Sequence, residues 1–119
     1  MMNKYRDKSD FEINKAVARA IGAKETIDGL FFDEHRTYVI YGNKCKNFFD
    51  PCNNPADAMS IIIENGICMN YIDKDIGWGA YHFDEEKGEL EIYDKNYYRA
   101  AMICFLMVKE AENENNNNS

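Results

Sequence analysis

The chain has 119 residues with a formal net charge of −7, and it is 45% apolar and 13% aromatic, which fits one globular domain with a single core and excludes a disordered chain. Its 21 acidic residues against 14 basic ones argue against a direct grip on DNA or RNA, which needs clustered Lys and Arg to displace counterions, and against docking on an anionic membrane.

The first element announces itself as a capping box. Ser9-Asp10-Phe11-Glu12 places a serine at the cap and a glutamate three residues on, and the helix it opens carries Ile13, Val17, Ala20 and Ile21 on one face before Gly22 stops it. After a turn at Asp28-Gly29, Leu30 to Phe32 and Thr37 to Tyr41 read as two strands around the polar loop Asp33-Glu34-His35-Arg36. The segment Phe49-Asp50-Pro51-Cys52-Asn53-Asn54-Pro55-Ala56-Asp57-Ala58 is a helix-entry device. Pro51 fixes a turn, Asn53 and Asn54 offer oxygens to backbone amides, and Pro55 suits a first helical position where its missing N–H costs nothing. Asp57 sets negative charge against the positive end of the helix, filling the niche an anion would use.

The second helix runs from about Pro55 to Glu64 and ends at Asn65-Gly66. Ile67 to Ile72, Trp78 to Phe83 and Glu89 to Tyr93 read as three further strands, joined by turns at Asp75 to Gly77 and Asp84 to Gly88 that suit antiparallel hairpins. The last helix, from about Tyr97 to Ala111, is apolar on most of its circumference, as a central core helix or one in a dimer interface would be, and a homodimer is expected. Residues 113–119 are a polar Asn/Glu tail expected to be disordered, leaving 1–112 as the domain. The order α-β-β-α-β-β-β-α predicts an α+β domain with three helices packed on an antiparallel sheet.

Little here points to catalysis. There is no Gly-x-Ser-x-Gly elbow, and Gly77-Trp78-Gly79 is a turn or bulge signal rather than a phosphate loop. Cys45, Cys52, Cys68 and Cys104 form no C-x-x-C pair, so no metal site and no cofactor are expected. His35 reads as a solvated loop residue, and His82, between Tyr81 and Phe83, as a strand histidine rather than a general base. No segment approaches the roughly 18 apolar residues of a membrane span, and Met1 to Ser9 has no signal-peptide core. A cytosolic protein with reduced thiols is therefore expected. The best candidate binding surface combines Asn53, Asn54 and Asp57 at the second helix entry with Trp78, Tyr81 and Arg99. These supply unpaired amides, stacking faces and a planar cationic fork.

Three blocks carry a family resemblance: Ser9 to Lys15, Asp50 to Ala58 with Ile61 to Asn65, and Tyr98 to Met107. They resemble the NinX-like family of small early-region proteins of lambdoid and related tailed phages, with Met59-Ser60 and Tyr97-Tyr98 departing from the family pattern. The resemblance implies the host cytoplasm as location and brings no assigned activity and no catalytic residue. The function expected on this basis is a non-enzymatic accessory protein that binds a host protein or sequesters a small nucleotide-like ligand, countering host defence. The alternative is an enzyme or nucleic-acid-processing accessory with an unrecognised active site.

Overall fold

The computed structural model describes residues 4–25, 30–32, 37–39, 49–86 and 88–117. Helix α1 (Asp10–Ala20) begins where the Ser9 hydroxyl accepts the Glu12 amide at 3.2 Å, and its C-terminal cap is Ile21, followed by Gly22. Strands β1 (Lys24–Glu25), β2 (Leu30–Phe32) and β3 (Thr37–Val39) form a small antiparallel sheet in that order. The register pairs Lys24 with Phe32 and Leu30 with Val39. The two-residue β1 adds a strand to the expected order, because it is too short to carry a period that sequence alone can reveal. The expected turn at Asp28-Gly29, the loop Asp33 to Arg36 with His35, the strand end Ile40-Tyr41 and Cys45 lie outside the described residues.

Helix α2 (Pro55–Glu64) is capped by Asn54, whose side-chain oxygen accepts the Ala56 amide at 3.0 Å, and it closes at Asn65 with Gly66 at φ +63°. A second antiparallel sheet follows, built from β4 (Cys68–Asp73), β5 (Gly77–Asp84) and β6 (Gly88–Asp94) in the order β4-β5-β6. Its irregularity is local: the β4–β5 register shifts between Tyr71 and Asp73, and Gly77 enters β5 at φ +93°. A Cβ on Gly77 would stand 2.5 Å from the Lys95 Cα, so only glycine lets the strand pass the β6–α3 connection.

Helix α3 (Tyr97–Asn117) starts from Asn96, whose Oδ1 accepts the Tyr98 and Arg99 amides at 2.9 and 3.2 Å. It continues to Asn117, past the end expected at Ala111. Once a helix is nucleated each added residue gains a hydrogen bond, and its late turns are tied down where Glu110 accepts the Tyr5 hydroxyl and meets Lys4 Nζ at 2.7 Å.

The core is organised around α3. Every residue from Ala100 to Val108 is buried, with α1 and α2 packed on α3 and β5 and β6 packed on it as well. Full burial of side chains such as Met102 and Phe105 contributes about 1.5–3 kcal/mol each. A single chain thus covers the apolar circumference that pointed to a homodimer, so that circumference no longer calls for a second copy. Strand alternation sorts the larger sheet into two faces. Trp78, Ala80 and His82 share one face with Leu90 and Ile92, and the burial of Ala80 and Ile92 identifies it as the face under α3. Gly79, Tyr81 and Phe83 share the other with Glu89, Glu91 and Tyr93.

Candidate functional site

Two regions hold the side chains that matter. The first is a polar junction where the three blocks singled out in the sequence meet. Asn14 of α1 is fully buried; its Nδ2 donates to Asp50 Oδ1 at 2.8 Å and its Oδ1 accepts the Cys52 amide at 3.1 Å. Asp50 donates its own N–H to Asp57 Oδ2 at 2.9 Å, folding the helix-entry loop onto the first turn of α2. Asn53 donates to Asp10 Oδ2 at 3.0 Å and accepts from Asn96 Nδ2 at 3.0 Å, joining the starts of α1 and α3.

Arg99 lies at the centre of this junction, its side chain only 14% exposed. Its Nε donates to Asp94 Oδ2 at 3.1 Å, and Nη1 donates to Asp10 Oδ1 at 2.6 Å. Nη2 is directed at the carbonyls of Tyr5, Arg6 and Lys8, the last at 2.7 Å. Burial pulls the guanidinium pKa down, but the hydrogen bond to Asp10 and the charges of Asp94 and Asp10 outweigh it, so the group stays charged above its ordinary range. Beside it, burial and the Asp10 carboxylate push the Cys52 thiol well up, so it is an inert packing group rather than a nucleophile. Among the described residues, no three His, Cys, Asp or Glu side chains are placed to share a metal ion.

The six residues expected to form a binding surface therefore separate. Asn53 and Arg99 do meet, bridged by Asp10, but the planar fork that was to grip a ligand is spent on the protein itself. Asn54 caps α2 through the Ala56 amide, and Asp57 accepts the amide of Asp50 in the entry loop. Trp78 stacks edge-on between Tyr71 and Tyr97 at centroid distances of 5.2 and 4.9 Å, on the α3 side of the sheet. Tyr81 lies on the opposite face, edge-on to Tyr93 at 6.1 Å. His82 is half-buried on the face with Trp78, opposite Leu90. Asn14 and Asn96 were not among the candidates; a lone asparagine inside a helical pattern and one just before a helix are the signals that could have found them.

The second region is the outer face of the larger sheet. Phe83 is 69% exposed and Tyr93 48% exposed, with Cys68 exposed and Tyr81 half-buried near them. The Tyr81 hydroxyl occupies the space a Cβ on Gly79 would need, which places its ring over that glycine. Glu89 and Glu91 are exposed on this face, and Glu91 Oε2 accepts the Tyr93 hydroxyl at 2.9 Å. An open cleft of ≈ 380 Å³ lies at the Glu91–Asp94 half of β6, lined by Arg6, Glu91, Tyr93 and Asp94 with Ile92 and Ile103. No helix of the described residues is long and apolar enough to cross a membrane.

Residues 4–109 match the model of the protein family described as Bacteriophage P22, NinX. No curated protein and no solved structure matches the chain.

Proposed function

We propose that this chain, which belongs to the Bacteriophage P22 NinX family, is a non-enzymatic phage accessory protein that binds a host protein in the host cytoplasm through the outer face of the sheet β4-β5-β6, acting against host defence. The observation that carries the reading is the pair of exposed aromatic residues: an antiparallel sheet with one side on its core and Phe83 and Tyr93 exposed on the other. Aromatic side chains supply most of the energy of protein interfaces when a partner desolvates them. The acidic residues Glu89 and Glu91 on the same face favour a partner with a basic surface and work against both nucleic acid and a second copy of the chain. The alternative of small-ligand sequestration at the α2 entry loses support, because Arg99 and the helix-entry side chains are satisfied internally.

The test installs a photo-crosslinking side chain at Phe83, and separately at Ile63, which is exposed on α2. A host protein joined from position 83 and not from 63 is then purified, and its binding is measured by calorimetry. We expect Phe83→Ala to weaken that binding at least about tenfold, as loss of an interface anchor does, with the melting temperature unchanged. Equal adducts at both positions, or binding indifferent to Phe83→Ala, would overturn the reading.

A further inference from the structure

We propose that β6 accepts an extended, lysine- or arginine-bearing segment of the partner protein as a fourth strand of the sheet. The inference rests on the protein-binding reading above and specifies how the partner is held.

Among the described residues β6 pairs with β5 alone, so its other edge carries backbone N–H and C=O groups from every second residue without a strand partner. The two edges of this sheet are not equivalent. On β4 the register breaks between Tyr71 and Asp73, and the Asp73 carboxylate turns back to accept the Asp75 and Ile76 amides at 2.8 and 2.7 Å. A bulge of this kind blunts an edge against further pairing. On β6 the register runs unbroken from Asp94 opposite Trp78 to Gly88 opposite Asp84. The straight edge is therefore β6, and the cleft of ≈ 380 Å³ lies beside its Glu91–Asp94 half, within the size range of roughly 300–1000 Å³ over which proteins hold ligands.

The side chains then select the occupant. Successive residues of an added strand alternate between the two faces. Those on the outer face stand beside Glu89 and Glu91, where a lysine or arginine is favoured and a carboxylate is repelled. Those on the inner face reach toward Ile92 and Ile103 in the cleft and are best apolar. Pairing of β6 with the β6 of a second copy centred on Leu90 or Glu91 would set glutamate against glutamate, which disfavours those registers while leaving the edge open to a basic strand. Arg99 bonds both the Arg6 carbonyl and the Asp94 carboxylate, so Arg6 stands near the Asp94 end of β6, which places the basic positions toward its Gly88 end. Main-chain hydrogen bonds give such an addition its affinity and the alternate side chains its selectivity.

The experiment titrates the full ¹⁵N-labelled chain with a capped synthetic peptide of alternating lysine and valine, reading amide hydrogen exchange in β6. Alternate amides between Glu89 and Tyr93 should slow about tenfold or more at saturation. A peptide N-methylated at every second residue, in one of its two phases, should lose the effect, and Glu89→Lys with Glu91→Lys should weaken binding. Uniform or absent protection, or equal binding of a glutamate–valine peptide, would overturn the proposal. Crosslinking from Phe83 with no β6 protection would leave the outer-face reading intact and remove this one alone.

Discussion

Replacing Arg99 with alanine removes a cation that holds five chain positions at once: the carboxylates of Asp10 and Asp94 and the carbonyls of Tyr5, Arg6 and Lys8. Charge-assisted hydrogen bonds contribute about 1.5–3 kcal/mol each when desolvated. Removing one partner of a buried ion pair costs about 3–5 kcal/mol, because the remaining charge is left uncompensated. Here the Asp10 side chain is 40% exposed, so water can rehydrate it and the cost falls toward the lower bound, about 3 kcal/mol. In a domain of this size, stable by about 5–15 kcal/mol, that is a fall of roughly 10–15 °C in melting temperature. Urea denaturation of Arg99→Ala measures it, and Arg99→Lys should recover only part, since an ammonium cannot span two carboxylates and a row of carbonyls. A loss below about 1 kcal/mol, within the range of an exposed ion pair, would refute the reasoning and return Arg99 to the list of free binding groups.

Three further outcomes are expected. Asn14→Leu should cost about 2–3 kcal/mol in urea denaturation, since it strands the buried Cys52 amide and leaves Asp50 Oδ1 with Asn53 as its remaining side-chain donor. Phe105→Asp, at a position 1% exposed in the core of α3, should abolish soluble expression, whereas Phe83→Asp on the outer face should express normally. Stability should also fall in alkali. Burial pushes the Cys104 thiol up to about 12 from an ordinary 9.0, and Cys52 is raised too, so the fold favours the protonated thiols. Their contribution is complete below pH 9 and declines as the unfolded chain ionises first, at about 1.4 kcal/mol per pH unit per thiol. Urea midpoints at pH 8 and pH 10 check this, and Cys104→Ala should flatten the slope.

What the sequence determined by itself are the features set within a few residues of chain. Ser9 caps through Glu12, Asn54 caps through Ala56, and Gly22 and Gly66 follow the helix ends at positive φ, because each interaction spans four residues or fewer. The apolar circumference of α3 told equally well that this helix would be buried, though not whether by its own chain or by another. Even the split between Trp78 and Tyr81 was implicit, since residues three apart on a strand point to opposite faces. Only the tertiary structure could decide what Arg99 and Asn14 are for. Arg99 finds Asp10 across 89 residues and Asn14 finds Cys52 across 38. A guanidinium or an amide reads identically in sequence whether it faces solvent, a ligand or a buried carboxylate. The packing of α1 and α3 against the helix-entry loop made that choice, drawing Arg99 and Asn14 into contacts within the chain.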